Sequence, residues 1–130
     1  MFLQISKLNL VEPIFPIGHR SNNIEEHVTI LNGSVLPNKG HGTLFLAAHS
    51  GNDPIAYFNY LNKLESGDIL KIHTHDYTFT YIIKDIWEEE RNGYIHVNKH
   101  TKKQLILTTC STINNNKQLV VRGIEKSDHF

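Results

Sequence analysis

The sequence has little cysteine, no net charge and no long apolar run, and each shortage excludes a class of protein. Cys110 is its one cysteine, which excludes an intrachain disulfide and any zinc site that needs several thiolates. Thirteen basic and 13 acidic residues give a formal net charge of zero, so no global basic field attracts nucleic acid. The longest strongly apolar run, Thr43 to Ala48, has about a third of the length that a membrane-spanning helix needs.

What remains is an ordinary globular composition. The 130 residues, 39% of them hydrophobic, suffice for one domain over residues 1–130 with a core of its own. Residues Met1 to Lys7 contain no basic segment followed by an apolar one, so they do not form a signal-peptide pattern. We therefore expect a single soluble domain that reaches a membrane only through an anchor outside these residues.

Short segments of alternating apolar residues predict a protein built mainly of β-strands. The strands are expected near residues 3–10, 26–31, 43–49, 68–75, 77–87, 104–110 and 118–124. One helix is expected over Ile55 to Leu64, with Asp53 as its N-cap and Pro54 at its first position. The charged residues Glu88 to Asn92 and the polar residues Ser111 to Lys117 are predicted to be loops. Many short strands with one helix favour a barrel or a sandwich.

Three residues suited to acyl-transfer chemistry lie on or at the end of predicted strands. His49 ends one strand and Cys110 ends another, while Arg122 lies within the last strand. A hairpin through Ser111 to Lys117 would place Cys110 and Arg122 on neighbouring strands. A guanidinium among the apolar residues of a strand must reach solvent or bind an anion.

These side chains fit a thioester mechanism. A free thiol has a pKa of about 8.5, and a nearby cation favours its thiolate. The thiolate attacks an acyl carbon, an imidazolium protonates the departing amine, and an arginine stabilises the oxyanion. The same residues also have structural interpretations: a packed core thiol, a strand-end imidazole and an arginine stem over apolar neighbours. The pattern alone leaves both interpretations open.

Several segments, in one order along the chain, resemble the bacterial sortase family. Leu105 to Cys110, with Arg122 twelve positions later, resembles the active-site strands of that family, and Ala47 to Ser50 resembles its histidine segment. Phe58 to Leu64, which leads into Gly67 to Ile69, resembles the family's helix and the turn after it. The order His, Cys, Arg and the spacings of 61 and 12 residues also fit. The resemblance extends over nearly the whole chain.

The resemblance implies a closed, mainly β barrel of about eight strands with one or two short helices. It also implies a cysteine transpeptidase, in which Cys110 attacks the Thr–Gly bond of an LPXTG-like sorting signal. His49 would act as general acid and then base, and Arg122 would hold the substrate and its oxyanion. An amine from a cell-wall precursor or a pilin lysine would resolve the thioester. The residues expected to contact the substrate are Ala48, Thr108 and Thr109.

The resemblance further implies a location, a subclass and a cofactor requirement. The location is the extracytoplasmic face of the membrane of a Gram-positive bacterium. A short linker at residues 88–103, and the lack of an N-terminal lid motif with an Asp-Pro-aromatic plug, favour a housekeeping or class D-like enzyme. Ala48, where the family usually has glycine, and Ile106, where it usually has threonine, are departures that bear on the subclass. No cofactor is expected unless Glu88 to Glu90 bind calcium, as acidic side chains near this loop do in some sortases.

Three alternatives remain open at this point. The first is a non-catalytic β-barrel that binds peptides on a sortase scaffold. The second is a small metal-binding protein, because His73 and His75 would share one face of a strand and could bind zinc or copper. The third is a thiol protease of another fold. The order of His49 before Cys110 argues against papain-like enzymes, in which the cysteine comes first.

Overall fold

The computed structural model describes residues 1–24, 26–49, 57–90, 95, 97, 102–110 and 116–126, and it describes Cys110 through its backbone pairing. Within these residues the eight strands are β1 Phe2–Ile5, β2 Leu10–Pro13, β3 Thr29–Ile30, β4 Thr43–Ala47, β5 Ile69–His73, β6 Thr78–Glu90, β7 Gln104–Cys110 and β8 Lys117–Glu125. The same part of the chain contains three short 3₁₀ helices, Ser6–Leu8, Pro37–Lys39 and Leu61–Lys63. This confirms the mainly β fold that the sequence predicts.

All eight strands belong to one curled sheet. Their order is β2-β1-β5-β6-β8-β7-β4-β3. Neighbouring strands are antiparallel except β4 and β7, which run in the same direction. Ile14, just after β2, forms an isolated bridge with Val28, just before β3. Since β2 and β3 are the two edges of the sheet, this bridge connects the segments next to those edges.

The core packs against one face of this sheet. Alternation along each strand decides which residues point there, so Leu105, Leu107 and Val121 belong to the core cluster. The intervening residues of β7 and β8 point to the opposite face. The largest fully buried side chains are Tyr81, Phe58, Leu3, Ile5, Leu44, Leu46, Leu61, Leu70, Ile72, Ile83, Leu105 and Ile106.

The predicted helix is tighter and shorter in the part of it that the structure describes. Residues 57–60 form a turn, and Leu61–Lys63 form a 3₁₀ helix. Backbone bonds link residues three apart, as from Leu61 N to Phe58 O at 3.2 Å. Phe58, Leu61 and Leu64 are buried, and their spacing of three suits the 3₁₀ period better than the α-helical one. The predicted cap at Asp53 and Pro54 lies outside the described residues.

The prediction of a loop at Glu88 to Asn92 is wrong for Glu88 to Glu90, because β6 continues to Glu90; residues 91 and 92 lie outside the described residues. Glutamate is a poor strand former, but each of these residues has a partner on the long strand β8. Glu88 pairs with Leu119 and Glu90 with Lys117, whose Nζ lies 2.7 Å from Glu90 Oε1. Tertiary pairing therefore overrides local propensity at this point.

Other predicted strands are shorter or interrupted. The first one is divided by the Ser6–Leu8 turn, where Asn9 has a left-handed φ of 53°. The strand predicted over residues 26–31 is reduced to β3. None of the helical segments that the structure describes has the length and apolar character needed to cross a bilayer.

Candidate active site

The parallel pairing of β4 with β7 places two of the predicted site residues at the same end of the sheet. Ala47 is in register with Thr108, and the pairing continues one residue further, since Ala48 N donates to Thr108 O at 3.4 Å. His49 follows two residues after Ala47, just as Cys110 follows two residues after Thr108. Phe58 N donates to His49 O at 3.1 Å, which anchors the end of this segment.

A cavity of about 170 Å³ opens beside His49. It lies where β4 and β7 end and β8 begins. Three of its residues, Ala48, Thr108 and Thr109, are the ones that the sequence analysis expects to contact a substrate. Thr108 Oγ1 donates to Leu119 O at 3.1 Å, which ties β7 to β8 at the wall of the cavity. The lining residues are Ile24, Ala47, Ala48, His49, Thr108, Thr109 and Gln118.

Arg122 lies elsewhere on the sheet. Its register partner is Ile106, four residues before Cys110, which corresponds to about 13 Å along a strand. Its side chain points further away, because Nε donates to Gln104 Oε1 at 2.8 Å and the guanidinium forms an ion pair with Asp85. The structure therefore does not bring Arg122 to the cavity beside His49, contrary to the contact expected from the sequence.

The environment of Arg122 explains this position. Its side chain is only 20% exposed, so the guanidinium needs partners that replace water. Asp85 supplies a charge from β6, while Gln104 supplies a carbonyl oxygen from β7. Gln104 in turn donates from Nε2 to Thr43 Oγ1 at 3.1 Å. These four side chains form a polar chain across β6, β8, β7 and β4.

Two polar residues that the sequence did not assign to this site, Gln118 and Glu89, lie in the register row of Cys110. Gln118 pairs with Cys110 on one side and with Glu89 on the other. Gln118 Nε2 donates to Glu89 Oε1 at 3.3 Å, and Trp87 Nε1 donates to Glu89 Oε2 at 3.0 Å. The sequence pattern that could have identified Gln118 is the period of two along β8, because Gln118 is the next residue on the face that carries Val120 and Arg122.

The structure also bears on the two metal hypotheses. Among the residues it describes, no cluster of three His, Cys, Asp or Glu could hold a metal ion. His73 Nε2 donates to Gln4 Oε1 at 2.6 Å, and its Nδ1 accepts from the Thr78 hydroxyl at 2.9 Å, so both ring nitrogens are engaged. β5 ends at His73, and the expected shared strand face with His75 therefore does not form.

Comparison with known proteins gives a family and a fold for this chain. The family model described as "Sortase domain" matches residues 3–126. A curated relative, sortase A of Bacillus anthracis, is 23% identical over 122 residues, which cover 93% of this chain and 57% of the relative. The chain thus spans little more than half of that protein.

Solved structures of sortases superpose on this chain over nearly its whole length. Sortase C1 of Streptococcus suis superposes with a TM-score of 0.83 at 26% identity and covers 98% of this chain and 73% of that one. A lid mutant of sortase A from Corynebacterium diphtheriae superposes with a TM-score of 0.84 at 24% identity, over 98% of this chain and 70% of that one. These relatives are sortases A and C, so the class D-like subclass stays a prediction.

Proposed function

Because the chain belongs to the sortase family, we propose that it is a cysteine transpeptidase that cleaves an LPXTG-like sorting signal and transfers the acyl group to an amine. Its substrates are surface proteins at the extracytoplasmic face of a Gram-positive membrane. The acceptor is an amine of a cell-wall precursor or of a pilin lysine. Cys110 is the nucleophile and His49 the acid and base in this proposal.

One observation carries the proposal: β4 and β7 are adjacent and parallel, with Ala47 in register with Thr108. Two residues beyond this pair, the chain reaches an imidazole on one strand and a cysteine on the other. The cavity lined by His49 lies at this end of the sheet. A nucleophile and a base from distant parts of the chain can act together only if the fold aligns them in this way.

The proposed reaction has two acyl transfers. The Cys110 thiolate attacks the threonine carbonyl carbon and a C–S bond forms. The C–N bond to glycine breaks as His49 gives its proton to the departing amine. The acceptor amine then attacks the thioester and loses a proton to His49. The C–S bond breaks and the thiolate is regenerated.

Part of the cavity wall consists of small, buried side chains. Ala48 is 2% exposed, and Thr108 and Thr109 are each 6% exposed, so these small side chains form a closed surface beside His49. We assign them to substrate contact. Arg122 has a different task in this proposal, since its bonds to Asp85 and Gln104 hold neighbouring strands together at a distance from the reacting atoms.

The proposal is tested by mass spectrometry of the protein with a panel of LPXTG-like peptides and an added amine. We expect an acyl adduct on Cys110 and, with the amine present, a ligated product. Cys110→Ala should abolish both and keep the circular dichroism spectrum of the folded protein. Product formation by Cys110→Ala would rule the proposal out, and peptide binding without any adduct on the wild-type protein would favour the non-catalytic binding module.

A further inference from the structure

We propose that Gln118, oriented by Glu89, is the side chain that binds the scissile carbonyl oxygen, in the place that the sequence predicts for Arg122. This inference rests on the proposed transpeptidase activity. It assigns substrate contact to a neutral amide and leaves the arginine to a structural role. Glu89 is a positioning residue, since it acts through Gln118.

The position of Gln118 is the first argument. Its backbone is the direct register partner of Cys110, and it lines the same cavity as His49, Thr108 and Thr109. Opposite residues of an antiparallel pair have Cβ atoms about 5 Å apart. A carbonyl carbon attacked by the Cys110 sulfur therefore lies within reach of the Gln118 side chain.

The contacts of Glu89 are the second argument. A carboxylate accepts hydrogen bonds and cannot donate them, so its bond to Gln118 fixes which end of the amide is nitrogen. Trp87 donates to the other carboxylate oxygen and holds Glu89 in place. The bonded N–H of Gln118 is thus directed toward Glu89, on the side of β8 away from Cys110. A primary amide nitrogen carries two N–H groups, and the proposal assigns the one that Glu89 does not accept to the substrate carbonyl.

The exclusion of Arg122 is the third argument. Its Nε bonds to Gln104, which lies six residues before Cys110 on β7. Moving the guanidinium to the cavity would break this bond and the ion pair with Asp85, and would leave a buried glutamine without one of its partners. Of the described residues that line the cavity, Gln118 carries an N–H donor on a long side chain and is the register partner of Cys110.

The test compares kcat/KM for peptide cleavage in four variants. Gln118→Ala should lower kcat/KM about 100- to 1,000-fold, since one oxyanion donor contributes on this scale. Gln118→Glu keeps the shape but removes the donor and adds a charge, so its activity should be lower still at pH 7 and should rise as the pH falls. Arg122→Gln should change kcat/KM less than threefold while lowering the melting temperature. Gln4→Ala, on β1, is the matched glutamine control and should keep wild-type kcat/KM, although it removes the bond to His73 Nε2.

A rescue experiment tests the positioning role of Glu89. Glu89→Ala removes the acceptor and should lower kcat/KM about tenfold. Glu89→Gln retains a carbonyl oxygen that can accept from Gln118, so it should recover most of the activity. A merely structural role would not distinguish these two variants when both melt at the same temperature.

Binding gives a second readout that needs no turnover. With the peptide added to Cys110→Ala, the side-chain amide signals of Gln118 should shift in ¹⁵N NMR spectra, and the Arg122 Nε signal should not. The inference is overturned if Gln118→Ala keeps wild-type kcat/KM in a folded protein, or if the Arg122 signal shifts in place of that of Gln118. Failure of the wild-type protein to form any thioester would instead overturn the proposed function.

Discussion

At the scale of single residues, Gln104 shows how a buried polar side chain can be held in a strand. It is 2% exposed, accepts from Arg122 at 2.8 Å and donates to Thr43 at 3.1 Å. A buried polar group is tolerated when such bonds replace those it made with water. The three side chains therefore depend on one another, and the loss of one leaves the others with fewer partners.

We expect Gln104→Leu to destabilise the protein by about 1–3 kcal/mol although leucine is apolar, because the Arg122 guanidinium loses an acceptor. The measurement is the free energy of unfolding from urea titration. The double variant Gln104→Leu with Arg122→Met should regain part of the loss, since both partners are then absent. A double variant with the summed cost of the two single variants would contradict the coupling between them.

The residues of the site were predictable to different degrees. His49 and Cys110 stand at strand ends, where the alternation of apolar residues ends, so the sequence could place them. Arg122 could not be placed, because its ion pair with Asp85 depends on the pairing of β6 with β8, which no local pattern encodes. Gln118 lies two residues before Val120 on the face of β8 that also carries Arg122. Glu89 belongs to a charged run that local propensity assigns to a loop.

At the scale of elements, β8 packs closely against neighbouring side chains where it carries glycine. A Cβ added at Gly123 would lie 3.2 Å from Tyr81 Cβ and 3.3 Å from Leu70 Cδ1. Tyr81 is 1% exposed and Leu70 is fully buried, so neither side chain can move aside easily. β8 approaches β5 and β6 closely because this residue has no side chain.

Gly123→Ala should therefore cost about 1–3 kcal/mol through overpacking, despite the better strand propensity of alanine. The check is the urea midpoint at constant m-value. An unchanged or higher midpoint would show that the neighbouring side chains relax without cost.

Strand positions were the most predictable elements, and the bounds of β7 agree with the sequence pattern. The predicted helix was less accurate, since the spacing of Phe58, Leu61 and Leu64 fits both helical periods until the packing of all three is known. The extension of β6 to Glu90 could not be foreseen from propensity. This extension depends on the length of β8, the strand with which the end of β6 pairs.

At the scale of the whole molecule, an ion pair between Lys7 and Asp68 connects the N-terminal segment to the start of β5. Lys7 Nζ donates to Asp68 Oδ2 at 2.9 Å, and Glu65 N donates to the same oxygen at 2.7 Å. The bond from Lys7, followed by the one from the Glu65 backbone, holds the pKa of the Asp68 carboxyl below its ordinary value against the opposing effect of burial. The ionised carboxylate is thus favoured in the folded state.

A depressed folded-state pKa stabilises the protein above the unfolded value, about 3.9 for aspartate, and this contribution is lost as the pH falls through the folded value. Asp68→Asn should therefore lower the free energy of unfolding near neutral pH. The difference from the wild-type protein should shrink below about pH 4. Urea titrations from neutral to acidic pH measure it, and a difference independent of pH would exclude this explanation.

The shared direction of β4 and β7 has a consequence for how such a molecule can be enlarged. Between residues 49 and 104 the chain makes a long excursion through β5 and β6 before it returns beside β4. The spatial relation of the two strand ends is set by their ladder of backbone bonds, so it does not depend on the length of that excursion. Insertions in its loops could reshape the rim of the cavity beside His49 and leave the two strand ends where they are.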